Sequence, residues 1–195
     1  MTATSTARLA LLLAPLCVGC GAADAGASPP GGTFTAFATD FEGFHAWPSA
    51  PAMPASTLPA IDGGDGVDGG ALGDGGIHAL PLTVYWKQAP PAGSAVFPVG
   101  TIIAKETAEA DPTARKIFAM VKRGGDFNPT GAVNWEWFEL QNTVDGGVVI
   151  NWRGYGPPSG SSDIYGGDPT ICNACHLIAA RNDDVWSSAL QLTNF

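Results

Sequence analysis

Five short runs of β-branched and aromatic residues, each bounded by turn-forming residues, constrain this chain more than any other feature. They are Leu82-Thr-Val-Tyr-Trp86, Thr101-Ile-Ile-Ala-Lys-Glu106, Ile117-Phe-Ala-Met-Val-Lys122, Trp135-Glu-Trp-Phe-Glu-Leu-Gln141 and Val148-Val-Ile-Asn-Trp-Arg153. Runs of this length and composition between Gly, Pro and Asp read as strands. Asp145-Gly-Gly between the last two reads as the turn of a hairpin. The tail from about Asp168 reads as helical. Phe37, Phe41 and Phe44 have the spacing of one helical face, ahead of Pro48, Pro51 and Pro54, which stop any helix there. The expected fold class is α+β: a mainly antiparallel five-stranded β-sheet with flanking helices and a helix near the C-terminus.

Composition sets the limits. A chain of 195 residues fits one domain of ordinary size. With 45% hydrophobic and 14% charged residues it is not a wholly disordered chain. A net charge of −9 with only nine Lys+Arg argues against nucleic acid as a partner. The 26 glycines and 16 prolines require long loops. One is the Asp/Gly-rich stretch 62–76, which holds a single Gly-Gly-x-Gly-x-Asp, Gly63 to Asp68. A lone copy, with Gly70 where a calcium repeat needs a large apolar residue, reads as an acidic flexible loop.

The N-terminus reads as an export signal. Arg8 precedes the apolar run Leu9 to Leu16, followed by Cys17-Val-Gly-Cys20. The run is far shorter than the about 18–20 residues of a membrane span. Val18-Gly19-Cys20 resembles a bacterial lipobox, with Cys17 where leucine is usual. The expectation is a lipoprotein-type signal peptide over 1–19, a lipid anchor on Cys20 and a flexible tether over 20–33. Residues 34–195 then form the domain. That places the protein in the periplasm or on the outer membrane of a bacterium, in contact with membrane only through the anchor. The alternative is a soluble secreted protein cut nearby.

Cys172-Asn-Ala-Cys175-His176 is the most specific motif. It has the C-x-x-C-H pattern of c-type haem attachment. The two thiols add to the haem vinyl groups, and a short helical turn places His176 under the iron as proximal ligand. The expected cofactor is one covalent haem c, with the C-terminal helix as its attachment helix. Export agrees, because bacterial c-type haem is assembled outside the cytoplasm. Two other readings stay open. A zinc site needs about four ligands, and His45 and His78 lie in unpatterned segments. A disulfide accounts for the cysteines but not for His176. Cys17 and Cys20 also form C-x-x-C, but no histidine follows.

A motif near the C-terminus of a strand-rich domain does not suit a small helical cytochrome. The order of segments resembles the cytochrome P-460 family and the related cytochromes c′-beta. Phe44-His-Ala-Trp47, Thr83-Val-Tyr85, Phe97-Pro-Val-Gly-Thr-Ile-Ile-Ala-Lys-Glu106, Ala119-Met-Val-Lys122, Asn134-Trp-Glu-Trp-Phe138, the haem motif and Asn182-Asp-Asp-Val-Trp186 appear in the family's order over about 40–190. The resemblance implies an antiparallel sheet beside the haem. It gives Lys105 a role as the lysine that crosslinks to a haem meso carbon. A snorkelling lysine paired with an acid is the plainer reading.

Two positions depart from the hydroxylamine-oxidising members. Leu82 stands where they carry arginine, and Phe118 where they carry an acid. Both become distal-pocket candidates, and Phe118 would cap the site as in the c′-beta proteins. Glu106, Glu136 and Glu139 are the nearby acids. Met120 and Met53 are the residues able to serve as a sixth ligand, with core packing the plainer reading of each. Arg153 and Arg181 are candidates for haem propionates.

Three functions follow as expectations. One is oxidation of hydroxylamine or nitric oxide chemistry at a five-coordinate haem, with a redox-partner cytochrome to take the electrons. Another is binding of a diatomic gas, nitric oxide or carbon monoxide, without turnover. The third is periplasmic electron transfer. The resemblance also implies a homodimer.

Overall fold

The computed structural model describes residues 32–52, 81–111, 114–160 and 163–195. The signal peptide, Cys20, the tether up to residue 31, Met53 and the loop 62–76 lie outside the described residues. Among the described residues the fold is α+β, built on one sheet of seven strands in the order β1 to β7. These are β1 (Ser49–Pro51), β2 (Leu82–Trp86), β3 (Ile102–Thr107), β4 (Ile117–Lys122), β5 (Trp135–Asn142), β6 (Val148–Gly154) and β7 (Tyr165–Gly166). Neighbours up to β6 pair antiparallel. The β7 strand joins β6 in parallel through Arg153 and Gly154.

The five expected strands are β2 to β6, but the sheet is larger and mixed rather than five-stranded. The additions, β1 and β7, are too short to leave a periodic pattern. Each blunts one edge of the sheet. The expected flanking helix over Phe37 to Phe44 is two 3-10 turns, Ala38–Asp40 and Phe44–Ala46. The Asp40 carboxylate accepts the Phe37 amide at 3.0 Å, an alternative to helical bonding. Gly43 then reverses the chain at φ 68. Phe41 and Phe44 are buried, whereas Phe37 is 63% exposed. Near the C-terminus, α1 (Thr170–His176) continues into a 3-10 segment, Leu177–Asn182.

The sheet is covered on both faces. Phe41, Phe44 and Ala36 pack on one, with Ile102, Ala104, Phe138 and Leu140. The C-terminal segment covers the other through Val185, Leu190 and Leu192, against Ile103, Met120, Trp135 and Trp137. Each large side chain so buried contributes roughly 1.5–3 kcal/mol. Double coverage explains why Ile117 to Val121 reads as a continuous apolar run rather than an alternation. A bulge interrupts the β5–β6 pairing: Glu139 faces Trp152 while Leu140 faces Ile150. Asn151 is therefore the extra residue, and it puts Ile150 and Trp152 on opposite faces.

A buried acid ties the N-terminal segment to the sheet. Glu136 is wholly buried. Arg153 donates to it at 2.7 and 2.8 Å, and Arg123 at 3.1 Å. Arg153 also donates to the Ala36 carbonyl at 2.8 Å. Replacing Glu136 by Gln leaves two guanidinium groups without their countercharge. The expected loss is about 3 kcal/mol, read as a lower urea midpoint at unchanged slope.

Candidate functional site

The site is built from strand register on one wall and α1 on the other. One cross-strand row runs Val84, Lys105, Phe118, Glu139 and Trp152 over β2 to β6. The next row runs Trp86, Ile103, Met120, Trp137 and Gly154. Opposite them, the spacing of Cys172, Cys175 and His176 places all three on one face of α1. These residues line a cavity of about 340 Å3 together with the row of Lys105 and with Met120, Trp137, Val185, Trp186 and Ser187. Two thiols and an imidazole on one wall are groups able to hold a cofactor at two points and ligate a metal at a third.

Local bonding fixes α1. The Asp168 carboxylate accepts the Thr170 amide at 2.9 Å and its hydroxyl at 2.5 Å. These bonds hold its pKa below the usual carboxylate value. Asn173, inside the motif, turns away from the cavity and is buried. Its Oδ1 accepts from Asn128 Nδ2 at 2.9 Å, the Ala132 amide at 3.1 Å and the Trp137 indole at 3.3 Å. Gly131 is required beneath it, because a Cβ there would collide with the Asn173 amide.

His176 is held on two sides. Its ring lies 4.4 Å from that of Trp137. Its Nδ1 meets the Asp184 carbonyl at 2.8 Å. A carbonyl only accepts, so Nδ1 carries the proton, and in the neutral ring the lone pair is then on Nε2, the metal-binding tautomer.

Asp183 and Asp184 both have left-handed backbone, at φ 53 and 63. Asp183 pairs with Lys122 at 2.6 Å. Burial pushes Lys122 down and Asp183 up, each opposed by its partner. Burial and the Asp183 charge also raise Asp184.

Among the sequence candidates, the cavity brings together Cys172, Cys175, His176, Lys105, Phe118 and Met120. The Lys105 ammonium lies 5.8 Å from the Phe118 ring centroid. Leu82 is not brought in: it pairs with Thr107 one row further out and does not line the cavity. Arg153 faces the opposite side of the sheet on Glu136, and Arg181 is exposed.

Of the acids, Glu106 is also on the opposite face. It is bonded to His45 at 3.1 Å and to the Tyr85 hydroxyl at 3.4 Å, with Arg115 at 3.7 Å. Burial, then the Glu106 charge, raises Tyr85. Glu139 alone of the three lines the cavity, where its Oε2 accepts the Trp152 indole at 2.6 Å. Its position depends on register and on the bulge beside it, neither of which the sequence pattern revealed.

Among the described residues no three or more of His, Cys, Asp and Glu cluster as a metal-ion cage, and no helix is long and apolar enough to cross a membrane. No family model, curated protein or solved structure matches the chain.

Asn173→Ala removes the acceptor of the Ala132 N–H and of the Trp137 indole, while the Asn128 amide keeps the Ala132 and Trp135 carbonyls. A loss of about 1–3 kcal/mol is expected. It is accompanied by a red-shifted tryptophan emission, read by fluorescence during urea unfolding.

Proposed function

We propose that the protein is an exported mono-haem c protein resembling cytochrome P-460, acting on small nitrogen species. The observation that carries the reading is the convergence of Cys172, Cys175 and His176 with Lys105 and Phe118 on one cavity. The donor set fits haem c. Cys172 and Cys175 would form the thioethers, His176 would ligate the iron through Nε2, and Lys105 would reach the macrocycle from the sheet. Haem supplies an iron that binds a small ligand and passes electrons on.

The chain's own residues favour an open coordination site. Met120, the candidate sixth ligand among the described residues, is buried in the apolar cluster with Ile103 and Trp137, where core packing accounts for it. That disfavours the electron-transfer reading. Glu139 favours turnover over simple gas binding. It supplies a carboxylate in the row of Lys105 and Phe118, oriented by the Trp152 indole. Oxidation of hydroxylamine releases protons, and a positioned base assists. Phe118, its cross-strand neighbour, keeps the site apolar and narrow. It supports the second reading, a c′-beta-like binder of nitric oxide or carbon monoxide.

Two tests follow. Protein matured in a bacterial periplasm should carry one covalent haem, lost in Cys172→Ala/Cys175→Ala. Its ferrous spectrum should respond to carbon monoxide, with a strongly red-shifted Soret band that Lys105→Leu abolishes. A matured chain without haem overturns the proposal. An ordinary high-spin c-type spectrum rejects the crosslink and leaves the gas-binding reading. Glu139→Gln should lower hydroxylamine turnover by about 10²-fold or more, with carbon monoxide binding retained. Unchanged turnover removes Glu139 from the chemistry.

A further inference from the structure

We infer that the buried Lys122–Asp183 pair is a positioning device for His176. It sets the hydrogen bond on the ring nitrogen away from the cavity, and through it the donor strength of the ring. The inference rests on the proposed function only for its effect on the iron.

The pair joins three parts of the fold to one residue. Lys122 ends β4 and is 4% exposed. It donates to the Asp183 carboxylate at 2.6 Å and to the Val133 carbonyl at 3.1 Å. The other Asp183 oxygen accepts the Phe97 amide at 2.8 Å, from the loop ahead of β3. The Asp183 carbonyl accepts the Trp135 indole at 2.8 Å, from β5. Side chain and backbone of Asp183 are thus both pinned to the sheet. The next residue, Asp184, presents its carbonyl to His176 Nδ1 at 2.8 Å.

This arrangement explains a costly feature. Two consecutive non-glycine residues in left-handed backbone, at φ 53 and 63, and a desolvated ion pair are both unfavourable in isolation. An apolar pair of the same volume would cover the core as well. It would not hold the chain reversal that returns the Asp184 carbonyl to the end of α1. A hydrogen bond from Nδ1–H to a fixed acceptor orients a ligating imidazole and raises its basicity. Lys122 and Asp183 act only through that carbonyl.

The test compares holoprotein variants. In Asp183→Asn and Lys122→Met the Nδ1–H bond should weaken. The midpoint potential then rises, the ferrous iron–histidine stretching frequency falls, and affinity for carbon monoxide changes by about tenfold. Lys122→Arg should restore all three. Glu136→Gln destabilises the fold without touching this chain of contacts and should leave all three unchanged. Equal shifts in Glu136→Gln, or none in Asp183→Asn, overturn the inference.

The same bond is read without haem by nitrogen NMR of the histidine side chains. His176 should be the Nδ1-protonated tautomer in the wild type and Lys122→Arg, and mixed in Asp183→Asn. A mixed tautomer in the wild type overturns the positioning claim. A fixed tautomer in a matured chain that carries no haem overturns only the functional proposal.

Discussion

Covering both faces of the sheet governs the rest of this molecule. A half-exposed sheet can send its polar side chains to water. Here β3, β4 and β5 have neighbours above and below, so each buried polar group needs a partner inside the protein. Glu136 has two arginines. Glu106 has His45, Tyr85 and Arg115. Lys122 has Asp183. The His45–Glu106 and Lys122–Asp183 pairs, and the Arg153 bond to the Ala36 carbonyl, also join segments far apart in sequence. Polar satisfaction thereby fixes where the N-terminal aromatic segment and the C-terminal tail lie on the sheet.

The strands were legible because their composition and turn residues are local signals. The predicted runs at 82–86, 117–122, 135–141 and 148–153 fall within a residue or so of β2, β4, β5 and β6. What was not legible depends on contacts that sequence spacing does not carry. Phe37, Phe41 and Phe44 have a helical period, but Gly43 and the Asp40 side chain divide the segment into turns. The β7 strand is two residues long and exists because the backbone of Gly154 approaches that of Gly166. No side-chain pattern encodes such an approach.

The candidate site shows the same division. Cys172, Cys175 and His176 belong to one short motif, so their shared helical face follows from spacing alone. The resemblance points to Lys105 and Phe118, and antiparallel pairing makes them direct neighbours. It points equally to Leu82, which falls in the next row out. Lys122 and Asp183 lie 61 residues apart. In sequence they are an ordinary strand-end lysine and one aspartate of an Asp-Asp pair. Only folding shows that the second aspartate's backbone carbonyl reaches His176.

Glu139 shows how a local irregularity bears on the chemistry of the cavity. In a regular strand Ile150 and Trp152 would share one face, because side chains alternate with period two. The far-side core needs Ile150, where it packs with the cluster of Phe138 and Leu140. The cavity side holds Trp152. The bulge at Asn151 meets both requirements. As a result the indole N–H arrives beside the Glu139 carboxylate, which lines the cavity. Phe118 borders that carboxylate through the β4 pairing, so the row presents an apolar ring and an oriented acid side by side. Under the proposed function, a small ligand entering there would meet steric filtering and a carboxylate in the same layer of the sheet.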